Sequence, residues 1–408
     1  MWTLVLNKAE LADRNRAKAQ ALHRTSIRQR IRRASLHLLA HIPAKAKTAH
    51  NQQRILLIRP DHLGDVLLTT PAICALRAAL PDAEIHILVG EWSQAVLTAY
   101  SEIDRILTLP FPGFTRQPSN GVFAPYQLAY RYAQQLRNTG YNCAVIFRPD
   151  HWWGAMLAHL AGIPERWGYN HPDTRVFLTH HIEWHHEHAI VQSMRLVEQW
   201  VDKQRHQQIN YRFPVAESDR LMIDALLFEK RINRENPIIC IHPGSGTQTK
   251  QWRESQWARV ADVLHKEWDA TIILTGTKSE YVLTQQIAAQ MKYKAHNLAG
   301  QTTIGQLAAL YRQSHIVLGP DSGPLHLAAA VATSTVALFG PADPVEFAPW
   351  GAADEHVVLT SDIACRPCRI LEWAYEHTAL HPCVHDITVT QVLDAARKIL
   401  GKNNSFME

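Results

Sequence analysis

The chain has 408 residues, of which 46% are hydrophobic and 19% are charged, so it can form two ordinary hydrophobic cores. Its six scattered cysteines exclude a disulfide scaffold and favour a reducing compartment. Charges interrupt the first apolar run, and the longest uncharged stretch, residues 322–342, contains prolines and a histidine. We therefore predict neither a signal peptide nor a membrane span, and we expect a soluble cytoplasmic protein.

Residues 1–53 form a basic arm that we predict to be helical. Residues 1–54 carry twelve lysines and arginines against two acids, a net charge of +10, whereas the whole chain carries +5. The run IRQRIRRASLHLLAHIP mixes isoleucine and leucine with arginine, as basic amphipathic helices at anionic membrane surfaces do. A solvated helix packed on the body fits the pattern equally well. Nucleic acid is not a predicted partner, because no nucleic-acid-binding module follows.

From residue 54 onward, short apolar runs alternate with helical segments, a pattern typical of βαβ units around a parallel sheet. The run RILLIR, at residues 54–59, predicts a buried strand, and Pro81 ends the helix that follows. We place a first α/β domain at residues 54–215 and a linker at residues 216–236, where charges cluster. The further strands of the first domain are predicted at residues 84–89 and 143–147.

The same alternation restarts in a second α/β domain at residues 237–387. A helix begins near Glu254, and open sheets of this kind bind ligands outside the carboxyl ends of their strands. The last segment, residues 388–408, is a predicted helix that could cross back to the first domain. The predicted strands of the second domain are residues 237–242, 271–275, 315–319 and 335–339.

Asp65 ends the motif R-P-D-H-L-G-D, where the first strand turns into a helix. A carboxylate at this position could accept a proton from a sugar hydroxyl. It could equally complement the positive end of the helix dipole, as aspartates at helix starts commonly do. The dinucleotide fingerprint G-x-G-x-x-G is absent, so a nicotinamide-dependent dehydrogenase is disfavoured.

A glycine-rich turn in the second domain is typical of phosphate binding. In H-P-G-S-G-T-Q-T-K, the small residues Ser245 and Gly246 allow backbone N–H groups to approach a phosphate closely. Lys250 adds a positive charge, although a surface lysine beside an ordinary turn would look the same. The turn lacks the G-K-[ST] of a Walker sequence, so kinase chemistry is disfavoured.

The motif G-P-D-S-G-P-L-H, residues 319–326, predicts the start of another helix. Asp321 and Ser322 can cap that helix, and His326 lies on its first turns. Together with the helix dipole, these groups suit an anion such as a diphosphate leaving group. Taken singly, simple capping and a buried core histidine explain them adequately.

In this order and spacing, the three motifs resemble the lipopolysaccharide heptosyltransferases of glycosyltransferase family 9, over about residues 54–360. The resemblance implies the GT-B fold, in which two Rossmann-like domains with parallel sheets face a central cleft. It implies inverting, metal-independent transfer of heptose from ADP-heptose to the lipopolysaccharide core or a related surface glycan. It also implies a cytoplasmic enzyme that acts peripherally at the inner membrane.

The resemblance further implies roles for individual residues. Asp65 matches the family's general base, which activates the acceptor hydroxyl. Lys250 matches the lysine that holds the donor phosphates in catalysis, and Glu280 matches the acid that holds the nucleotide ribose. The complete donor-binding set implied in this way is Ser245, Gly246, Lys250, Glu280, Asp321, Ser322, Gly323 and His326.

Near the C-terminus, the pattern C-R-P-C-(x14)-C contains Cys365, Cys368 and Cys383. Three thiolates plus His381 or His385 could complete a tetrahedral zinc or iron site. A subgroup of the family that glycosylates proteins has a comparable cluster that binds iron. Reduced structural cysteines are the favoured interpretation, because a fourth cysteine is missing, and no cofactor is required for the implied reaction.

Two other functions remain open from the sequence. One is a GT-B transferase or an epimerase that uses another nucleotide sugar. The other is a non-catalytic, membrane-associated binding protein of the same fold, although the intact Asp65, Lys250 and Glu280 argue against lost activity.

Overall fold

The computed structural model describes residues 8–23, 26–43, 53–115, 121, 123–201, 209–371 and 382–404. The chain divides into two compact units. The N-terminal unit is Thr25–Tyr211, and the C-terminal unit is Arg212–Glu408 together with Met1–Arg24. Among the described residues, no helix combines the length and the hydropathy needed to cross a bilayer.

The basic arm contains two helices, α1 (Lys8–His23) and α2 (Ile27–Ala40), so the prediction of helix is confirmed for its described part. The two helices belong to different units, α1 to the C-terminal unit and α2 to the N-terminal unit. The physical reason is that each helix buries its own apolar residues. Leu11 and Ala12 of α1 pack near Ile363 in the C-terminal unit, whereas Leu36 of α2 enters the core of the N-terminal unit.

The N-terminal unit is built on a sheet of six strands in the order β3-β2-β1-β4-β5-β6, and all the paired strands are parallel. Apolar runs such as RILLIR are buried almost throughout, as expected of strands covered on both faces. The strands are β1 (Arg54–Arg59), β2 (Glu84–Val89), β3 (Arg105–Thr108), β4 (Cys143–Ile146), β5 (Glu165–Tyr169) and β6 (His180–Ile182). The helices are α3 (Leu63–Leu67), α4 (Thr70–Ala79), α5 (Gln94–Leu97), α6 (Ala124–Arg137), α7 (Trp152–Leu160) and α8 (Ala189–Val197).

The C-terminal unit repeats this plan with a second parallel sheet of six strands, in the order β12-β11-β10-β7-β8-β9. Its strands are β7 (Ile238–Ile241), β8 (Thr271–Leu274), β9 (His296–Asn297), β10 (Ile316–Pro320), β11 (Thr335–Phe339) and β12 (His356–Thr360). Its further helices are α9 (Glu217–Glu229), α10 (Glu254–Trp268), α11 (Tyr281–Gln290), α12 (Ile304–Arg312), α13 (Gly323–Ala330), α14 (Pro344–Phe347), α15 (Pro382–His385) and α16 (Val389–Asn404).

Both sheets have the strand order 3-2-1-4-5-6 when each is counted from its own first strand. This is the order of dinucleotide-binding α/β folds, in which strands are added to one side of the first strand and then, from the fourth strand on, to its other side. Ligands bind at the carboxyl ends of those two strands. The fold therefore predicts ligand sites at the carboxyl ends of β1 and β4 in one unit and of β7 and β10 in the other.

Two further segments of the predicted domain plan are helices in the structure. The predicted linker, residues 216–236, is mostly the helix α9, because Ile223 and Leu227 lie four residues apart and are both buried. The final helix, α16, does not leave the C-terminal unit within the described residues. Its apolar residues, including Val392 and Ala396, join the core around α10 and β11.

Candidate functional site

Three segments of the C-terminal unit, including both of its motifs, meet at one edge of its sheet. β7 lies between β8 and β10, and residues at the ends of these strands are partners in the sheet register. His242 follows β7, Thr275 follows β8, and Asp321 follows β10. Because the strands are parallel, these residues lie together at the carboxyl edge, as predicted for a ligand site. We call this the donor edge.

Lys250 and Asp321 form an ion pair at the donor edge. The Lys250 Nζ atom lies 2.6 Å from Asp321 Oδ2, and the Asp321 side chain is largely buried. The pair joins two motifs that are far apart in the chain. A lysine side chain is flexible, so this contact fixes the ammonium group at the end of β10.

Glu280 joins the same edge through a tight contact with the glycine-rich turn. Its Oε2 atom accepts hydrogen bonds from Thr277 N at 2.7 Å and Thr277 Oγ1 at 2.9 Å. A Cβ atom added at Gly244 would lie 2.0 Å from Glu280 Oε1, so a larger residue would require the carboxylate or the turn to move. At Gly246 an added Cβ would meet no atom within 4 Å, so the backbone there is open to a ligand.

Ser245 has a local role in the same turn, because its Oγ atom donates a hydrogen bond to the Thr247 carbonyl oxygen at 2.6 Å. This contact closes the loop between β7 and Lys250. The hydroxyl thereby fixes the backbone whose N–H groups would approach a phosphate.

The start of α13 differs from the capping prediction. Ser322 occupies the N-cap position with extended backbone, but its side chain makes no capping hydrogen bond. Its Oγ atom is buried and has no hydrogen-bond partner in the described part of the chain. Asp321 does not cap the helix because its carboxylate pairs with Lys250. Gly323 begins the helix and the buried His326 follows in it, so the helix start remains suited to an anion.

His242 is a donor-edge residue that the motif analysis did not single out. Its Nδ1 atom lies 3.1 Å from Thr275 Oγ1, and its Nε2 atom lies 3.8 Å from Glu280 Oε2. Burial lowers the pKa of His242, and the nearby Glu280 carboxylate offsets only part of this effect. The imidazole is therefore neutral at neutral pH. Its position directly after an apolar strand was the signal that could have identified it.

Asp65 lies at the corresponding edge of the N-terminal unit, near the end of β1. It is in the first turn of α3, as predicted, and its side chain is 33% exposed. Its Oδ1 atom lies 3.4 Å from Arg59 Nη2. The carboxylate is therefore accessible and has a cation beside it.

A buried ionic network supports this edge, and the motif analysis missed it. Arg59 Nε lies 2.9 Å from Asp61 Oδ2, and Arg148 at the end of β4 donates to Asp61 Oδ1. Burial alone would raise the pKa of Asp61, but the charges of Arg59 and Arg148 outweigh it and lower the pKa. Arg148 also donates to Asp150 Oδ1 at 2.6 Å. Charged residues at the ends of two apolar strands were the available signal.

Comparison with known proteins decides the family. The model of glycosyltransferase family 9 (heptosyltransferase) matches residues 129–378, which is more than half of the chain. The chain belongs to glycosyltransferase family 9. It is therefore a glycosyltransferase, and the epimerase and non-catalytic alternatives are not favoured. The match contains every residue of the predicted donor-binding set, whereas Asp65 lies before it.

Individual relatives agree with this family. The chain is 25% identical over 305 residues to lipooligosaccharide heptosyltransferase 2 of Haemophilus ducreyi, covering 71% of this chain and 84% of the relative. It is similar to a family 9 glycosyltransferase structure from Veillonella parvula, with a TM-score of 0.71 and 23% identity. The match covers 87% of this chain and 100% of that structure. It is also similar to the structure of Escherichia coli ADP-heptose lps heptosyltransferase II, with a TM-score of 0.67 and 21% identity. This match covers 86% of this chain and 100% of that structure. These likenesses show that the family 9 enzyme has the GT-B fold.

In this family 9 glycosyltransferase, the cysteine cluster packs against α1. Cys365, Cys368 and Cys383 are buried, and Asn15 of α1 donates a hydrogen bond to Cys365 Sγ at 3.3 Å. A hydrogen bond from the Cys368 thiol lowers the pKa of Cys365. Within the described ranges, these three thiols are not part of any group of three ligand atoms that lie within 4.8 Å of one another. His381, one of the possible fourth ligands, lies outside the described residues, and we derive no chemistry through a metal at this cluster.

Proposed function

We propose that this glycosyltransferase transfers a heptose from ADP-heptose to the core of lipopolysaccharide or a closely related surface glycan. The observation that carries the proposal is the convergence of Lys250, Glu280 and Asp321 at the donor edge, inside the region that the family model matches. The relatives support the choice of sugar, because heptose donors and lipopolysaccharide acceptors appear in their names.

The donor edge has the groups that a nucleoside diphosphate sugar requires. We infer that the Lys250 ammonium group and the first N–H groups of α13 bind the diphosphate and stabilise its charge as it leaves. The open backbone at Gly246 allows a phosphate to approach without a side chain in the way. Glu280 would accept hydrogen bonds from the ribose hydroxyls, since its carboxylate is fixed beside the turn by Thr277.

Asp65 is the proposed general base. In an inverting displacement, the acceptor oxygen forms a bond to the anomeric carbon as the bond from that carbon to the diphosphate oxygen breaks. The Asp65 carboxylate would take the proton of the acceptor hydroxyl in this step. The Arg59 guanidinium lies 3.4 Å from that carboxylate and would help to orient it. No divalent ion is needed in this scheme, because the protein itself supplies the positive charge.

We also propose that the enzyme acts as a peripheral protein on the cytoplasmic face of the inner membrane. The proposed acceptor is lipid-anchored, so the enzyme must reach a membrane surface. The net charge of +10 in residues 1–54 supports this placement, since the cytoplasmic leaflet is anionic.

The test is a reaction of the purified full chain with ADP-heptose and a series of truncated lipopolysaccharide acceptors, followed by mass spectrometry. We expect one acceptor to gain the mass of one heptose residue, with release of ADP. The matched control replaces ADP-heptose with UDP-N-acetylglucosamine, which should give no product. Thermal stabilisation by a different nucleotide sugar, without any mass gain from ADP-heptose, would overturn the proposal.

A further inference from the structure

Among the described residues, the helix α2 contacts the N-terminal unit through one of its faces. Leu36 is buried on this face, and Arg32 and Arg33 each pair with Asp173 at 2.5 Å. The Arg32 guanidinium also lies 5.5 Å from the centre of the Trp152 ring. Two arginines of the arm thus have structural partners, which the sequence pattern could not reveal.

The opposite face of α2 is an apolar stripe that is open to solvent. Ile27, Ile31 and Leu38 are 76%, 63% and 75% exposed, respectively. At about 100° per residue, these positions and Ala34 fall within about 60° of one another, on the side of the helix opposite Leu36. We call Ile27, Ile31, Ala34 and Leu38 the outer stripe.

Basic residues flank the outer stripe, and acidic residues do not. The exposed side chains of Arg30, His37 and His41 lie along one of its borders. The sequence has no aspartate or glutamate between Asp13 and Asp61, so nothing in the segment neutralises this charge locally. A solvent-exposed apolar stripe bordered by Arg30, on a helix without acidic residues, fits a helix that lies in the plane of an anionic membrane.

A second helix also exposes apolar residues but differs from α2 in its charge. α9 exposes Leu221, Met222 and Phe228, of which Phe228 is 86% exposed. Its sequence, ESDRLMIDALLFE, contains four acids and one arginine. An anionic surface would repel α9 and attract α2, although both helices present apolar side chains.

We propose that the outer stripe of α2 is a membrane-docking surface that inserts into the interface of an anionic lipid bilayer. The apolar side chains would enter the boundary between headgroups and acyl chains, while Arg30 and its neighbours contact lipid phosphates. The helix stays attached to the N-terminal unit through Asp173, so docking would bring that unit to the membrane surface. The proposal rests on the proposed function only in that a lipid-anchored acceptor lies in such a surface.

The test measures binding of the full chain to vesicles of phosphatidylcholine mixed with phosphatidylglycerol, and to vesicles of phosphatidylcholine alone. We expect binding to the mixed vesicles that weakens as salt is added. The triple variant Ile27→Ser, Ile31→Ser, Leu38→Ser should bind them at least about tenfold more weakly. Because these side chains are exposed, thermal unfolding should be unchanged.

The matched control is Leu221→Ser, Met222→Ser, Phe228→Ser on α9, which removes the same number of exposed apolar side chains. This variant should bind vesicles as the wild type does. Equal binding of the α2 triple variant and the wild type would overturn the proposal. So would a wild type that binds vesicles with and without phosphatidylglycerol equally well. A dimeric wild type and a monomeric α2 variant in light scattering would also overturn it, because a second copy would then cover the stripe.

Activity on a soluble, truncated acceptor separates this proposal from the proposed function. If the α2 triple variant loses vesicle binding but keeps heptose transfer to the soluble acceptor, the stripe is a docking surface and the function stands. If the wild type binds anionic vesicles but transfers no heptose, the docking proposal is supported and the proposed heptose transfer is wrong.

Discussion

The carboxyl edges of the two sheets share one strand order but contain different chemistry. At the N-terminal edge, Asp61 is buried between two arginines, and Asp65 is the accessible carboxylate beside them. At the donor edge, Gly246 keeps the backbone open, and the fixed charges include Glu280 and the pair of Lys250 and Asp321. Both edges thus contain paired charges, but only the donor edge combines them with an open glycine-rich backbone.

This difference matches the two halves of a sugar transfer. A base must be held at one position and in one protonation state, which a network of fixed charges provides. A diphosphate needs several N–H donors and a cation at close range, which glycine turns and a lysine provide. Because the same topology supports both, function lies in the segments after the strands rather than in the sheet itself.

The largest effect is expected from Asp65→Asn, which keeps the shape of the side chain and removes its basicity. Turnover should fall by about 10²–10⁴-fold, the usual contribution of a general base. The dissociation constant of ADP, measured by calorimetry, should not change, because the predicted donor-binding residues are in the other unit. Unchanged turnover in the variant would remove Asp65 from the mechanism.

Asp61→Asn tests the buried network beneath that edge. It leaves the charges of Arg59 and Arg148 without their buried carboxylate, so we expect a loss of about 3–5 kcal/mol in the free energy of unfolding, measured with urea. The matched control is Asp150→Asn, which also removes a carboxylate from Arg148 but at a side chain that is 51% exposed. That control variant should lose less than about 1 kcal/mol in the free energy of unfolding. Equal losses would show that burial of Asp61 is unimportant.

The same network predicts a pH dependence. The pKa of Asp61 is lower in the folded chain than its ordinary value of about 3.9. Its stabilising contribution is therefore complete above about pH 4 and is lost as the pH falls through the folded pKa. Unfolding of the wild type should show this acid-dependent loss, and Asp61→Asn should show less of it.

The strands of the two sheets were not all equally predictable from the sequence. β1, β2 and β11 have the predicted bounds, because each is an apolar run with clear limits. The short strand β6 was missed, because His180–Ile182 has no apolar run to identify it. Polar edge strands of this kind are specified by their partner in the sheet rather than by their own residues.

The donor edge was predictable because glycines, a lysine and an acid follow apolar strands within a few residues. The network around Asp61 was not, because Arg148 is 87 residues away in the chain and only the parallel sheet brings them together. The close approach of Glu280 to Gly244 could not be predicted from the sequence either. A motif shows which residue types are present, but long-range pairing decides which of them touch.

A smaller effect is expected from Lys250→Ala at the donor edge. The variant loses a charged hydrogen-bond donor to the diphosphate, so the dissociation constant of ADP should rise by about 10–100-fold. The matched control is Lys266→Ala, since Lys266 is exposed in the last turn of α10, at the end of the helix away from the donor edge. Calorimetry should give the same ADP affinity for Lys266→Ala and the wild type. An unchanged affinity in Lys250→Ala would assign the lysine a purely structural contact with Asp321.

The smallest expected effect comes from two glycines in one turn. In Gly244→Ala, the new Cβ would overlap Glu280 Oε1, so the carboxylate or the turn must move, at a cost of about 1–3 kcal/mol in the free energy of unfolding. Gly246→Ala is the matched control, because its Cβ would meet no atom within 4 Å. Its stability should equal that of the wild type, while its ADP affinity should fall if the backbone there contacts a phosphate. Equal melting temperatures for Gly244→Ala and Gly246→Ala would show that the turn adjusts freely, and the close contact with Glu280 would then not explain why glycine occupies position 244.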